Sequence, residues 1–442
     1  MVQPSPPERT HSLNDCLETG PNYTPQLFDT LVNFRWHKIG LTADIEKAFL
    51  MVGINETDRD MLRFLWLKDP DDLNSEIVHL RFTYLMFGLP PSPAILASTI
   101  RHQLDSQVSQ EFKPHFIDLL KKSLYVDDLV TGERDEAKAL ELCPKSKSLM
   151  QRGGFNLRKW KTNSKIVQEA INGMNNHANP TTKPGNTKTI TEEDKLYTNT
   201  TNGPPIAADN TSENAIVKVL GSICNTDTDQ FTFYLVDLSQ HASLLPTTKR
   251  SLLRISAKMF DPLGLLSPFT IQLKVLLQEL CIERTDWDEQ LKGDHLKKRK
   301  TLIIELQTLN RICIPQSFFH CTSGNFRAAE LHCFSDASEK AYAASIYVCS
   351  IYEDGRIDVK LVASKTKVAP LKKQSIPRVE LLGATILVRL AKTAQNALPQ
   401  KLKTLFWVDS ITVLCWIKNL KPWKQYIMSR VQEIRAHTTP DS

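Results

Sequence analysis

The chain has 442 residues, too many for one compact core, so its length predicts roughly two to four domains. Hydrophobic residues make up 41% and charged residues 24% of the sequence, which is ordinary for a globular protein, and no stretch approaches the roughly 18 uncharged apolar residues of a membrane span. The net charge of +6 is compatible with a polyanionic partner but also with many other enzymes, so it excludes little.

The N-terminal residues and the cysteines favour a reducing compartment. Residues 1–15 have no apolar segment behind a basic one, so a secretory signal is not expected. The nine cysteines are scattered between Cys16 and Cys415 without the spacing of zinc ligands. We therefore expect free thiols, no structural zinc and a protein that is not secreted.

Short basic clusters would suit a nucleic-acid partner. Two of them contain a tryptophan, which could stack on a base or sugar while the cations contact phosphates. A solvated helix face is the more frequent explanation of any single cluster. The clusters are residues 121–122, 158–161, 297–300 and 421–424.

The N-terminal part alternates short apolar runs with helical patterns. Residues 38–41, 80–84 and 123–126 predict strands, and residues 93–104 and 137–150 predict helices. This alternation predicts an α/β layer.

The middle of the chain begins with a change of composition. Residues 176–214 are rich in Asn, Thr, Pro and Gly, which predicts a disordered linker. Beyond it, residues 217–223 and 230–236 predict a pair of strands about a turn at residues 225–227. Residues 247–309 predict a mostly helical region.

The C-terminal part has a distinctive order of elements, namely three strands, a helix, a strand and a helix. The predicted strands are residues 330–334, 343–352, 360–363 and 404–408, and the helices start near Pro377 and near Ile411. Proline suits the first turn of a helix because its missing N–H has no partner there.

The first set of acidic residues lies in the N-terminal part. Asp44 ends a short apolar run, and Asp127 and Asp128 stand between two apolar runs, as at the tip of a tight hairpin. Two magnesium ions at a phosphoryl-transfer site need several oxygen ligands from different segments, which these acids could supply. A helix cap for Asp44 and an ordinary polar turn for the pair are the alternatives.

The second set lies in the C-terminal part. Asp336 ends a predicted strand, Glu380 lies one turn into a predicted helix, and Asp409 ends the last predicted strand. Glu380, near the start of a helix, could simply complement the helix dipole.

Several motifs carry a resemblance to a known family. In order, LTADIEKAF (41–49), MFGLPPSPA (86–94), YVDD (125–128), GFNLRKW (154–160) and LG (220–221) resemble the palm motifs of reverse transcriptases. SLNDCL (12–17) and MFDPLGLLSP (259–268) resemble stretches typical of the Pao/BEL class of long-terminal-repeat retrotransposons. The second acid set and its strand order resemble ribonuclease H.

The resemblance implies a multidomain fold of the α+β and α/β classes, with a right-hand polymerase palm and partial fingers, a thumb or connection segment and a ribonuclease H-like domain. The corresponding ranges are 1–175 for the palm and partial fingers, 176–214 for the linker, 215–325 for the thumb or connection and 326–442 for the ribonuclease H-like domain.

It also implies roles for single residues. Asp44, Asp127, Asp128 and the carbonyl of Ile45 would bind the metals of the polymerase site, and Asp336, Glu380 and Asp409 those of the ribonuclease H site. Phe49 resembles the steric gate that rejects a ribose hydroxyl, with a core phenylalanine as the alternative. The remaining nucleotide-binding candidates are Phe87, Gly88, Tyr125 and Lys161, and Lys159 and Lys165 compete with Lys161 for its role.

The implied function is an RNA-directed DNA polymerase with attached ribonuclease H, using two Mg²⁺ ions per site, or Mn²⁺ in their place. Its partners would be an RNA template, a DNA primer, an RNA–DNA hybrid and deoxynucleoside triphosphates, but no membrane. A homodimer or other products of the same polyprotein are further candidates. Cytoplasmic virus-like particles, and also the nucleus, are the expected locations.

Two departures from the family pattern leave other functions open. The family's fourth ribonuclease H acid has no assigned counterpart, since Asp441 lies in a short tail, and only about 40 residues precede Asp44, so most finger strands are expected to be missing. A relic that binds nucleic acid without catalysis is therefore the main alternative, and an unrelated two-metal nuclease is a third.

Overall fold

The computed structural model describes residues 11–177, 216–233, 235–319 and 326–439. The chain forms two compact units, the first of Met1–Gln26, Leu41–Thr131 and Ala137–Lys161, and the second of Leu27–Gly40, Gly132–Glu136 and Thr162–Ser442. The linker predicted at residues 176–214 lies outside the described residues except for its first two, which end a helix. The domain boundaries proposed from the sequence stay a prediction.

The N-terminal part of the chain is a mixture of helices and strands, as predicted. Its helices are α1 (Leu13–Cys16), α2 (Leu27–Trp36), α3 (Ser92–Ser106), α4 (Pro114–Ser123), α5 (Glu136–Arg152) and α6 (Lys165–His177). Its strands are β1 (Ile39–Ile45), β2 (Arg63–Leu67), β3 (Ile77–Arg81), β4 (Leu124–Tyr125), β5 (Asp128–Glu133) and β6 (Leu157–Thr162). Strands β4, β5, β1 and β6 form one sheet in that order, and β2 pairs with β3 in a separate ribbon.

Local sequence explains where the helices of this part begin. Proline occupies the first turn of both α3 and α4, where no intrahelical donor is lost. Helix α3 then buries Leu96, Ile100 and Leu104, which recur every four residues along one face. The helices predicted at residues 93–104 and 137–150 are thereby confirmed.

The middle of the chain corrects one prediction. Strands β7 (Ile216–Val219) and β8 (Ser222–Asn225) replace the single strand predicted at residues 217–223, because Leu220 and Gly221 both have positive φ, 49° and 85°, and turn the chain back in a two-residue hairpin. The second predicted strand is also shorter, since β9 (Gln230–Thr232) ends before helix α7 (Val236–Leu244).

The predicted helical region is confirmed. It contains α8 (Lys249–Lys258), α9 (Ser267–Ile282) and α10 (Gly293–Thr308), whose leucines and isoleucines share one buried cluster with α7. A short strand, β10 (Cys313–Pro315), follows and completes a sheet with the order β10, β9, β8, β7.

The C-terminal part has the predicted order of elements, with one further helix. They are β11 (Phe326–Ala337), β12 (Ala341–Tyr352), β13 (Ile357–Val368), α11 (Ile376–Ala397), β14 (Lys403–Val408), α12 (Ile411–Lys418) and α13 (Gln425–Arg435). The sheet order is β13, β12, β11, β14, in which β14 runs parallel to β11 and the other pairs are antiparallel.

One face of this sheet is covered. Leu331 and Cys333 of β11 and Ile346 and Val348 of β12 alternate along their strands and are almost completely buried, and α11 packs on both strands. The outer edge of β13, which pairs with no other strand of the sheet, contacts a loop instead. There Ser364 N donates a hydrogen bond to the carbonyl of Leu263 at 2.9 Å. Such contacts remove the open backbone groups that make edge strands prone to aggregation.

Two further observations concern the described residues as a group. The eight cysteines among them are unpaired thiols. None of the helices that the structure describes is both long enough and apolar enough to cross a membrane.

Candidate active sites

The hairpin between β4 and β5 presents two of the acidic residues. Tyr125 pairs with Asp128 across it, so Val126 and Asp127 form a two-residue turn. Val126 adopts a φ of 57°, which is rare for a β-branched residue and costs on the order of 1–3 kcal/mol. Such strain persists only where the surroundings enforce it, and it is frequent at functional sites.

A backbone hydrogen bond holds the tip of this hairpin beside Asp44. Asp44 is the last but one residue of β1, and the amide of the next residue, Ile45, donates to the carbonyl of Asp127 at 2.8 Å. The first predicted acid set is thus brought together, although its members come from segments about 80 residues apart in the sequence. The carbonyl of Ile45 stays a predicted ligand.

The charges of these acids influence one another. Burial raises the pKa of Asp128 to about 6, the negative charges of Asp127 and Asp44 add to the increase, and Lys159 opposes it. Burial is also the main cause of the raised pKa of Asp127, to which the charge of Asp44 contributes. Carboxylates that repel each other in this way would be stabilised by a bound cation.

Two basic side chains approach Asp44 from β6. Arg158 Nε and Lys159 Nζ lie 3.4 Å and 3.7 Å from Asp44 Oδ2. The other oxygen, Asp44 Oδ1, is buried and accepts no hydrogen bond from any described residue. Lys159 was predicted only as a competitor of Lys161, and its ammonium forms an ion pair with Asp44.

The chemistry of Asp44, Asp127 and Asp128 fits a divalent cation, and the three acids are neighbours without surrounding a single point. Within residues 11–177, 216–233, 235–319 and 326–439, no three His, Cys, Asp or Glu side chains are arranged as metal ligands. The unbonded Oδ1 of Asp44 and the mutually repelling Asp127 and Asp128 are nevertheless hard oxygen donors of the kind that magnesium prefers.

The predicted nucleotide-binding residues include an aromatic pair. Phe49 is 7% exposed and Phe87 is 54% exposed, and their ring centroids lie 4.8 Å apart. Gly88 has a φ of 83° and its carbonyl accepts a hydrogen bond from Asn14 Nδ2 at 3.1 Å. A glycine is needed here for backbone conformation, since the space beside it is open. Tyr125 is half-buried in β4, and Lys161 lies in β6.

The second acid set lies at one end of the sheet formed by β11, β12, β13 and β14. Ser335 pairs with Val408 in the parallel register of β11 and β14, so Asp336 and Asp409, the next residues, emerge side by side. Both acids line an open pocket of about 460 Å³. The position of Asp409 is therefore fixed by strand pairing with the strand that carries Asp336.

Glu380 approaches the same strand end from α11. Gly383, one turn further along this helix, lies against the end of β11, since a Cβ placed on it would be 3.4 Å from the Asp336 carbonyl oxygen. Residues three apart share a helix face, so Glu380 belongs to the face that packs on the strand end. The structure thus places all three acids on the elements predicted for them.

Sequence reasoning missed the polar residues that surround Asp44. Glu46 and Asn156 were noted only as members of motifs, yet Asn156 Nδ2 donates to Glu46 Oε2, and Arg158 Nη1 donates to Glu46 Oε1, each at 2.9 Å. These residues lie more than 100 positions apart, so no local pattern could have paired them. The only sequence signal was their presence within two motifs of one resemblance.

Comparison with solved structures defines the class of fold. The foamy viral protease-reverse transcriptase in complex with an RNA/DNA hybrid is similar over 92% of this chain and 44% of its own, with 13% identity and a TM-score of 0.51. The foamy viral protease-reverse transcriptase dRH in complex with double-stranded DNA is similar over 95% of this chain and 58% of its own, with 14% identity and a TM-score of 0.52. Another complex of the foamy viral protease-reverse transcriptase with double-stranded DNA is similar over 96% of this chain and 70% of its own, with 15% identity and a TM-score of 0.50. The chain thus has a reverse-transcriptase fold. It covers less than half of the length of the first of these structures.

A family model matches the C-terminal part of the sequence. Residues 248–410 match the Pao retrotransposon-like RNaseH-like domain, a range that includes Asp336, Glu380 and Asp409. This match, together with the fold, confirms the predicted resemblance to a Pao-type retroelement polyprotein. The match begins at α8, so the matched residues include helices as well as the sheet. A comparison with curated proteins found no match.

Proposed function

We propose that the chain is an RNA-directed DNA polymerase of a retrotransposon with an attached ribonuclease H. The observation that carries the proposal is the convergence of Asp44, Asp127 and Asp128, in a chain with a reverse-transcriptase fold and a Pao-type RNaseH-like domain. In this proposal, residues 1–175 supply the palm and partial fingers, and residues 215–325 supply the thumb or connection segment.

In the polymerase site, each residue would have a distinct task. Asp44, Asp127 and Asp128 would hold two Mg²⁺ ions, which when bound neutralise charge on the attacking and leaving oxygens. The hydrogen bond from the Ile45 amide to the Asp127 carbonyl would hold the tip of the hairpin in a fixed position beside β1. Lys159, or its competitor Lys161, would place a positive charge beside the leaving pyrophosphate.

Selection of the sugar would depend on Phe49. Its ring is held by Phe87 and is nearly buried, so it could not move aside for a ribose hydroxyl. We infer that the substrate is a deoxynucleoside triphosphate for this reason. The exposed face of Phe87 and the backbone at Gly88 would border the nucleotide, together with Tyr125.

In the second site, Asp336, Glu380 and Asp409 would hold two further Mg²⁺ ions and orient a water molecule toward the RNA strand of a hybrid. The foamy viral enzymes of similar fold are complexes with an RNA/DNA hybrid and with double-stranded DNA. By this likeness, we propose an RNA template, a DNA primer and their hybrid as partners. A homodimer or other products of the polyprotein, and a place in cytoplasmic particles or the nucleus, belong to the same proposal.

A primer-extension assay tests the polymerase function. Wild-type protein, an RNA template with a DNA primer, deoxynucleotides and Mg²⁺ should give incorporation, and Asp127→Asn should abolish it. Asp118→Asn is the matched control, because Asp118 is an exposed acid of α4 outside the site. Binding of the template without incorporation by the wild type would contradict the proposal and favour a non-catalytic relic.

The ribonuclease H function needs its own assay. A hybrid labelled on its RNA strand should be cleaved by the wild type and by Glu353→Gln, an exposed control in the β12–β13 turn, but not by Glu380→Gln. Cleavage of nucleic acid by a protein that never uses deoxynucleotides would instead indicate an unrelated two-metal nuclease.

A further inference from the structure

Asp44 and Glu46 share one basic neighbour. Arg158 Nε lies 3.4 Å from Asp44 Oδ2, while Nη1 of the same guanidinium donates to Glu46 Oε1 at 2.9 Å. The side chains of Asp44, Arg158 and Glu46 are 26%, 33% and 37% exposed. These side chains are therefore partly buried. Solvent screens ion pairs between partly buried groups less than ion pairs on an open surface.

Glu46 is itself held in place at two points. Asn156 Nδ2 donates to Glu46 Oε2 at 2.9 Å, and the amide of Glu46 donates to the Asn156 carbonyl at 2.9 Å. Both carboxylate oxygens of Glu46 are thus occupied, one by Asn156 and one by Arg158. The stronger of the two contacts made by the guanidinium is the one with Glu46, since the distance to Asp44 is 0.5 Å longer (3.4 Å against 2.9 Å).

The two carboxylate oxygens of Asp44 have different surroundings. Oδ2 faces Arg158 and the more exposed Lys159, whereas Oδ1 is buried and has no hydrogen-bond partner among the described residues. If Arg158 were not shared, its whole charge would bear on Asp44. A cation approaching that carboxylate would then meet an uncompensated positive charge.

We propose that Glu46, anchored by Asn156, is a positioning residue that draws Arg158 away from Asp44 and so keeps Asp44 available as a metal ligand. This role rests on the proposed function, because it assumes that Asp44 binds a divalent cation. Glu46 acts through Arg158 and touches neither metal nor substrate. Groups that orient a ligand from behind in this way typically change metal affinity by about 10- to 100-fold.

A double-mutant cycle separates this role from a simple effect of charge. Mn²⁺ binding is measured by electron paramagnetic resonance on the full chain for the wild type, Glu46→Gln, Arg158→Gln and the double variant. Glu46→Gln should weaken binding about tenfold in the wild-type background, and by less than about twofold when residue 158 is Gln. Glu141→Gln, an exposed glutamate of α5, is the matched control and should leave binding unchanged.

Two results would overturn the proposal. Unchanged Mn²⁺ binding by Glu46→Gln would show that the network is only structural, and an equal loss in both backgrounds would show that Glu46 acts without Arg158. Circular dichroism of each variant checks that the fold is kept. An increased Mg²⁺ requirement for primer extension by Glu46→Gln, with unchanged KM for the primed template, is the expected kinetic counterpart.

Failure of the proposed function would look different. A wild-type chain that binds Mn²⁺, loses this binding in Asp127→Asn and shows the expected cycle, yet never extends a primer, would support the positioning role and contradict polymerase activity. A wild-type chain that extends primers but gives no effect for Glu46→Gln would contradict only the positioning role. Absence of Asp127-dependent Mn²⁺ binding in the wild type would overturn both.

Discussion

A half-buried histidine links the stability of the second unit to pH. His37 follows α2 and packs against Gly132, where a Cβ would lie 2.5 Å from the His37 Cβ. Both ring nitrogens are buried without a hydrogen-bond partner among the described residues. Burial, with a smaller contribution from the charge of Arg134, lowers the pKa of His37 from 6.5 to about 4.

The direction of the pH effect follows from this pKa. Between about pH 6.5 and 4 the unfolded chain binds a proton at His37 that the folded chain does not, so the free energy of unfolding falls as the pH falls through this range. We expect the wild type to lose about 2 kcal/mol more between pH 7 and 4.5 than His37→Gln, measured by urea unfolding.

The control for this prediction is His241→Gln, which removes an exposed histidine of α7 in the same unit. It should retain the full acid sensitivity of the wild type. Equal acid sensitivity of the wild type and His37→Gln would show that His37 is not the group responsible.

Among the elements, the ribonuclease H-like sheet was predicted well. In β12 buried residues alternate with half-buried ones, and the acids of the second set end strands or begin a helix, so both features are visible locally in the sequence. The hairpin of β7 and β8 was missed because Leu220 holds a positive φ, which a leucine gives no reason to expect. The Glu46–Arg158 pair was missed because tertiary folding alone brings its members together.

The outer edge of β13 depends on a glycine. Gly264 has a φ of 73°, and a Cβ there would lie only 2.0 Å from the Ser364 carbonyl oxygen of β13. Its own carbonyl accepts a hydrogen bond from Ser364 Oγ. Any side chain at this position would therefore push the loop off the strand edge.

Gly264→Ala should lower the free energy of unfolding by about 3 kcal/mol, because it adds a backbone clash to the strain of a positive φ. Gly355→Ala is the matched control, since Gly355 has a φ of 83° but open space around it, and should cost only about 1 kcal/mol. Urea unfolding measures both. If the two variants were equally destabilised, the contact between Gly264 and β13 would contribute nothing.

On the scale of the whole molecule, the second unit is assembled from distant parts of the chain. Helix α2, near the N-terminus, packs on α11. Arg35 of α2 is fully buried and donates to the carbonyls of Pro315, Gln316, Leu361 and Val362, while its guanidinium lies 4.4 Å from the centre of the Phe318 ring. One side chain thus joins segments separated by about 280 to 330 positions.

Arg35 has planar, forked donors, and this shape explains why arginine is used. Arg35→Met should lower the free energy of unfolding by about 3 kcal/mol, because it leaves buried carbonyls without donors. Arg35→Lys should recover little of this loss, since one ammonium cannot reach both Pro315 and Leu361. Arg254→Lys, a conservative change at an exposed residue of α8, is the control and should be neutral.

Hydrogen exchange followed by mass spectrometry would show whether the loss is shared. Because Arg35 bonds both to β13 and to the segment after β10, its replacement should accelerate exchange in α2, in β13 and around residue 316 together. Faster exchange confined to α2 would mean that α2 opens independently of β13 and of the segment after β10. Coordinated opening would mean that the N-terminal segment is an integral part of the unit that carries the second acid set.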